Sequence, residues 1–450
     1  MKTSYFYDVT KWKSGNPYED IGAVINDIIR DIKEKQTERD EDNGGKPGAA
    51  IFIPSGDYHL RTQVVIDISF LKIFGTGHGF ESSSIRFNVP EKDVPALWEL
   101  WPGGSRVIND IPVSVEETVD TEEKGAAFLI RRDGNPRISS VEFQNFCIDG
   151  LHFTGSENGD PENSYRNGKT GIYAASANDS FRITEMGIVY CEHGVVMYDS
   201  DALSIHDNFI AECGNCIELR RYGQASKITD NLIGAGYNGY SIFAENFGGL
   251  LVNANNVFPR GKSSLYFSFV QRSSISGNRF HSFYPGMLRL EKGSSENLVS
   301  SNHFLRDNEP WEPMKQYDNG EDDLLGLIVI NGNNNSFISN HISENIQKES
   351  IRPDTHIKPV VLHITGGVHN YIASNHMLVM TKDEEQQSNE KESDSCFGAQ
   401  VNALLLKTKP MDAVLIRVDD TSWSNIILDS ARENEADIDR SKNTFRAIPE

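Results

Sequence analysis

Residues 204–233, SIHDNFIAECGNCIELRRYGQASKITDNLI, hold one short pattern twice: IHDNFI at 205–210 and ITDNLI at 228–233. Laying the chain beneath itself extends the pattern to NANNVF (253–258), ISGNRF (275–280), VSSNHF (299–304), FISNHI (337–342) and IASNHM (372–377). The recurring asparagines Asn208, Asn231, Asn256, Asn278, Asn302, Asn340 and Asn375 are separated by 23, 25, 22, 24, 38 and 35 residues. Sequence inserted at 308–323 and around 347–355 accounts for the two long intervals. A period in the low twenties built from short alternating strands is one turn of a parallel β-helix, in which a coil buries its face only against its neighbours. The expected fold is therefore all-β, a right-handed parallel β-helix.

Asparagine suits such a repeat because it tolerates a left-handed bend, and its stacked amides hydrogen-bond along the solenoid axis. These residues read as structural. A second, weaker repeat follows each asparagine: HGVVMY (193–198), GNCIEL (214–219), NGYSIF (238–243) and PGMLRL (285–290), each a glycine-containing turn and then a strand. Two repeats per period are successive strands round one coil.

Working outward, residues 18–35 place Ile21, Val24, Ile25, Ile28, Ile29 and Ile32 at helical spacing, which predicts an amphipathic helix capping the open end of the solenoid. The polar stretch 36–48 follows, and GAAIFIPSGDYHLRTQVVI (48–66) supplies the first strands around a Pro-Ser-Gly turn. The expected organisation is an N-terminal segment with its capping helix over 1–47, a β-helix over 48–430, and a tail or trimming strand over 431–450. The polar run at 381–395 reads as a solvated insertion or a lid.

With 43 Lys and Arg against 65 Asp and Glu, the net charge of −22 repels nucleic acid and anionic lipid and disfavours polyuronates. A neutral substrate fits. Cys147, Cys191, Cys213, Cys216 and Cys396 show no disulfide framework. Cys213 and Cys216 form a CxxC, which a redox centre or half a zinc site would use, but with no second pair present packing is the reading adopted. His303, His341 and His376 each follow a repeat asparagine; they read as surface residues beside turns rather than a metal column. No metal and no cofactor are expected. The opening MKTSYFYDVTKW has no apolar signal core and no stretch is long enough to span a bilayer, so a cytoplasmic protein is expected.

In a β-helix the inward positions are taken by packing, so chemistry must come from outward side chains. Ile205, Ile210, Ile217 and Leu219 alternate inward, which sends Asp207 and Glu218 outward, eleven residues apart and flanking a bend. Two neighbouring carboxyl groups repel, so their proton affinities separate into an acid and a base or nucleophile, as acetal chemistry requires. In a chain with 65 acidic residues the same pair also reads as solvated surface.

The segments GAAIFIPSGDYHL and LKIFGTGHG resemble the opening of pectate-lyase-like β-helix proteins. SIHDNFIAECGNCIELRRYG is more specific: it resembles the active-site region of glycoside hydrolase family 91, the inulin fructotransferases and difructose dianhydride III hydrolases. That resemblance implies Asp207 and Glu218 as the catalytic carboxylates, a fructan-derived sugar as substrate, and a homotrimer with active sites at subunit interfaces. Glu218 is assigned as acid/base and Asp207 as its partner. Tyr198, Asp230, Gln271, Arg289 and Glu291, outward on neighbouring coils, are the candidate substrate contacts. The absence of a signal peptide favours the hydrolase, which opens the dianhydride to inulobiose, over the fructotransferase, which forms it from inulin. A non-catalytic carbohydrate-binding β-helix is the reading from another class.

Overall fold

The computed structural model describes residues 5–35, 48–78, 104–113, 121–134, 137–151, 153, 165–236, 239–258, 261–282, 284–307, 326–347, 359–382 and 408–449. Each coil runs through three short strands that pair in parallel with their counterparts one coil on, except that Thr408–Pro410 runs antiparallel to His376–Lys382. One coil consists of Ser204–His206, Phe209–Cys213 and Asn215–Gln224, and the next of Lys227–Thr229, Leu232–Ala235 and Tyr240–Glu245. The register places Ile205 on Ile228, Ile210 on Ile233 and Ile217 on Ile242. This is the expected right-handed parallel β-helix, with three strands per coil where the two sequence repeats mark only two. The three sheets are called faces one, two and three, in chain order round the coil.

The chain divides into two compact units, residues 1–256 and 257–450. In the first, Phe6–Asp8 pairs with Ala49–Phe52 to begin face one. The helix Pro17–Lys35 buries Ile21, Val24, Ile25, Ile28, Ile29 and Ile32, the six positions that the spacing marks. It packs on the first coil, where Asn26 donates to the Gln63 carbonyl at 2.8 Å and accepts from the Val65 amide at 2.9 Å. Asp20 is not helical, with φ −154° and ψ 86°. It acts as a cap instead, its Oδ1 accepting the amides of Gly22, Ala23, Arg61 and Thr62 at 3.1–3.3 Å.

The second unit repeats the three-strand coil, for example Leu298–Ser300, His303–Asp307 and Ile328–Ile330. On its second face the ring of His303 meets that of His341 edge-on at a centroid distance of 5.0 Å, and His341 meets His376 tilted at 4.9 Å. Within the last twenty residues, Ala436–Asp437 pairs with Val414–Val418, and Thr444–Arg446 pairs with Ile426–Leu428. Of the run at 381–395, residues from 383 onward lie outside the described residues, as does Cys396.

Inside the coils, Ile183, Ile205, Ile228 and Val252 form a fully buried column on face one. Each side chain of this size contributes about 1.5–3 kcal/mol by leaving water. Cys147, Cys191, Cys213 and Cys216 form no disulfide and are buried in the core. Among the described residues no group of three or more His, Cys, Asp or Glu is placed to hold a metal ion. No described helix is long and apolar enough to cross a membrane.

The asparagines form a ladder at the corner between faces one and two. Asn208 donates from Nδ2 to Asn231 Oδ1 and Asn231 to Asn255 Oδ1, both at 2.9 Å. Within the second unit the rungs are Asn278, Asn302, Asn340 and Asn375 at 2.9–3.0 Å, ending on Ser430. Two expectations change. The rung in the third repeat is Asn255, not Asn256. The left-handed residue is the one before each rung, such as Asp207 (φ 57°), Asp230 (58°) and Ala254 (55°), so asparagine is chosen for its amide and not for its backbone. The second unit also has another ladder, Asn297, Asn335, Asn370, Asn425 and Asn443, which those repeats do not reveal.

Candidate active site

Glu218 lies in Asn215–Gln224 between Ile217 and Leu219, which are both fully buried in the core. Alternation turns it to the outer side of face three, as expected. The outward row there runs Leu129, Tyr173, Val196, Glu218, Phe243 on successive coils. Ala126, Leu129, Tyr173 and Val196 form an apolar cluster with Tyr198 packed against it. Glu218 itself is only 2% exposed, so it is a buried carboxylate on an outer face rather than a solvated one.

Four charged groups close a ring at this point. His193 Nδ1 lies 2.6 Å from Glu218 Oε1, and Arg220 donates to Glu218 Oε2. Arg220 also donates to both carboxylate oxygens of Glu122 at 3.3 Å and to the Tyr198 hydroxyl at 3.3 Å. His193 Nε2 is 3.5 Å from Glu122 Oε1, which completes the circuit. The ring follows from local rules. Arg220 is two residues from Glu218 and shares its face, and His193 stands one coil before Asn215 in register. Gly194 permits the close approach, because a Cβ there would fall 2.6 Å from the Cys216 carbonyl oxygen.

Burial by itself would raise the Glu218 carboxyl, but the charges and hydrogen bonds of His193 and Arg220 outweigh it and hold the group at about 2. Burial by itself would lower His193; Glu218, Glu122 and Glu192 outweigh it and raise the imidazole instead. The resting pair is a carboxylate beside an imidazolium. A carboxylate in that state accepts a proton from water or a hydroxyl, or stabilises a cationic sugar; it has no proton of its own to donate.

Asp207 stands at the corner between faces one and two, its side chain 58% exposed and 2.7 Å from His206 Nδ1. The two carboxylates do not flank one bend, which corrects the expectation from their spacing. The eleven residues contain a complete strand, Phe209–Cys213, and face three lies across the three-sided coil from that corner. One chain holds Asp207 and Glu218 on opposite sides.

Of the other candidates, Tyr198 joins Glu218 through Arg220, with Arg221 stacked 4.8 Å above its ring. Asp230 joins Asp207 instead, occupying the same corner one coil on. Gln271, Arg289 and Glu291 belong to the second unit. There Arg289 Nε donates to Glu291 Oε1 at 2.6 Å beneath the Tyr266 ring, and Gln271 is exposed where it bridges to Ser295. His193, Arg220 and Glu122 are absent from the sequence-derived site. Arg220 was findable from alternation and His193 from the coil period, whereas Glu122, in the short helix Thr121–Lys124, follows no repeat.

The chain is similar to several known proteins along most of its length. Residues 301–449 match the family model described as the β-helix repeat of inulin fructotransferase, and residues 133–320 match that of the periplasmic copper-binding protein NosD. A DFA-I-forming inulin fructotransferase of Arthrobacter globiformis is 41% identical over 378 residues, covering 83% of this chain and 88% of that protein. The crystal structure of a DFA-IIIase from Arthrobacter chlorophenolicus A6 in complex with DFA-III is 59% identical, with TM-score 0.90, covering 99% of each chain. The same enzyme without its lid, in complex with GF2, is 57% identical with TM-score 0.87, covering 100% of both chains.

Proposed function

Because the chain belongs to glycoside hydrolase family 91, the family of the inulin fructotransferases and difructose dianhydride III hydrolases, we propose that it hydrolyses difructose dianhydride III to inulobiose. The observation that carries this reading is 59% identity to a DFA-IIIase along essentially the whole chain, against 41% to an inulin fructotransferase. In the reaction the bond between an anomeric carbon and its bridging oxygen breaks through an oxocarbenium-like transition state. One carboxyl group must protonate the departing oxygen while the other deprotonates the attacking water.

Chromatography of products after separate incubation with difructose dianhydride III and with inulin tests the reading. Inulobiose from the dianhydride with little action on inulin is expected; dianhydride accumulating from inulin would establish the fructotransferase instead.

A two-carboxylate site cannot be assembled in one chain that holds Asp207 and Glu218 on opposite sides. That supports a homotrimer in which face three of one subunit meets the Asp207 corner of the next. Co-expression of Asp207→Asn and Glu218→Gln chains tests this, since mixed trimers regain some wild-type sites. Activity no greater than that of either inactive variant alone would sink the shared-site reading.

A further inference from the structure

We propose that His193 is the positioning residue that supplies Glu218 with its proton, the two side chains sharing one proton across adjacent coils so that a buried carboxylate can serve as the acid. The proposal rests on Glu218 being a catalytic carboxylate of the reaction above, and it says how that carboxylate acquires a proton.

The geometry comes first. His193 Nδ1 faces Glu218 Oε1 at 2.6 Å, a length suited to a charge-assisted hydrogen bond. The ring is buried, its side chain 11% exposed, so its proton exchanges with Glu218 more readily than with bulk water. On its other edge Nε2 lies 3.5 Å from Glu122 Oε1, which fixes the ring and favours the doubly protonated form. Among the described residues, the titratable and charged groups acting on the imidazole come from its own and three further elements. Glu218 and Arg220 come from Asn215–Gln224, Glu122 from Thr121–Lys124, Glu192 from the preceding residue, and the buried Cys213 from Phe209–Cys213. In register with His193 on the flanking coils are the uncharged Thr170 and Asn215.

The arrangement resolves a conflict in the site. Arg220 and His193 keep Glu218 ionised, yet an acid is needed at the departing oxygen. Moving one proton from His193 Nδ1 to the carboxylate turns the ion pair into a neutral acid and a neutral imidazole, with Arg220 still held by Glu122. As the anomeric carbon–oxygen bond breaks, its electron pair stays on the oxygen, which takes the proton from Glu218. Water then adds to the anomeric carbon and gives its proton to the partnering carboxylate. The partnering carboxylate releases that proton to solvent and the pair recovers one, so the enzyme returns to its starting state without an oxidant or co-reactant.

The test is the pH profile of kcat/KM on difructose dianhydride III, whose alkaline limb reports loss of the proton the pair shares in the free enzyme. With His193 in place the pair keeps its proton up to the raised range of the imidazole. His193→Gln keeps a hydrogen-bond donor for Glu218 but has no proton to give, so the proton must then belong to the carboxyl group alone. A fall in kcat of about 100-fold or more, KM changed by only a few-fold, and an alkaline limb at least one pH unit lower are expected. Glu122→Gln, at a more exposed position, removes the second carboxylate from His193 and shifts the limb the same way by less. A limb that stays at its wild-type pH in both variants overturns the proposal, whatever happens to kcat. A wild-type chain inactive on both the dianhydride and inulin would instead refute the functional reading, leaving no profile to compare.

Discussion

Asp207 and Asp230 occupy the same left-handed corner on successive coils, with φ of 57° and 58°. Adjacent strands in a ladder are about 4.8 Å apart, so the two carboxylates are close neighbours along the stack. Asparagine also tolerates this backbone, so Asp→Asn exchanges separate chemistry from folding. Asp207→Asn is expected to leave Tm within a few degrees and to lower kcat by about 10²–10⁴-fold. Asp230→Asn should act mainly through KM, because its place is beside Asp207, the proposed catalytic carboxylate. Steady-state kinetics with a thermal melt decides, and equal kcat losses at both positions would refute this division of labour.

The pH dependence of stability follows from the His193–Glu218 pair. Glu218 is held at about 2 against its usual value of 4.5, so its contribution is complete above that usual value and is lost as pH falls towards 2. His193 is raised above 6.5, so its contribution is complete below 6.5 and is lost as pH rises through the raised value. The pair is therefore at full strength between about pH 4.5 and 6.5. The difference in Tm between wild type and Glu218→Gln should be most in favour of wild type in that window and shrink on both sides. A difference independent of pH would show that the charges are not coupled.

Asn340 donates to Val299 and Asn375 and accepts both the backbone and side-chain amides of Asn302. Asn340→Ala takes the side-chain acceptor from the buried Asn302 backbone amide, at about 1–3 kcal/mol. It also removes one bond from Asn302 Nδ2, which keeps the Ile275 and Ser300 carbonyls, and one from Asn375 Oδ1, which keeps the backbone amide of residue 340. Calorimetry should show Tm lower by roughly 5 °C or more. A loss under about 1 °C would mean that water or a neighbouring group replaces the rung.

The Asp20 cap holds four amides from two segments, so Asp20→Ala should loosen the N-terminal helix from the first coil. The expected cost is about 1–2 kcal/mol. Faster hydrogen exchange in residues 21–32 and 61–66, with the coils around Asn208 unchanged, would be its signature.

The fold was legible because Ile205, Ile228 and the asparagines recur with a period that only stacking explains. What eluded the repeats was geometry across coils. The members of the Asn297 ladder are not framed by the same hexapeptide, and the frame NANNVF starts one residue late: Val252 and Val257 hold the apolar positions, which makes Asn255 the rung. Glu218 was correctly placed on an outer face, but alternation says nothing of what covers that face, so its burial by His193 and Arg220 was invisible. The separation of Asp207 from Glu218 was misjudged because counting eleven residues does not reveal the strand Phe209–Cys213 between two corners.

The ladder treats chain length in an unequal way. Asn208 and Asn231 are 23 residues apart, Asn302 and Asn340 are 38, and the amide contacts are 2.9 and 3.0 Å. Each rung thus restores the phase of the coil regardless of how much sequence has passed since the last one, much as a reading frame is kept by whole codons. A lineage can lengthen the chain between rungs, and so alter what surrounds the carboxylates, without reopening the question of how the protein folds. Losing a single rung is the costlier event, because the error passes to every neighbour that depended on it.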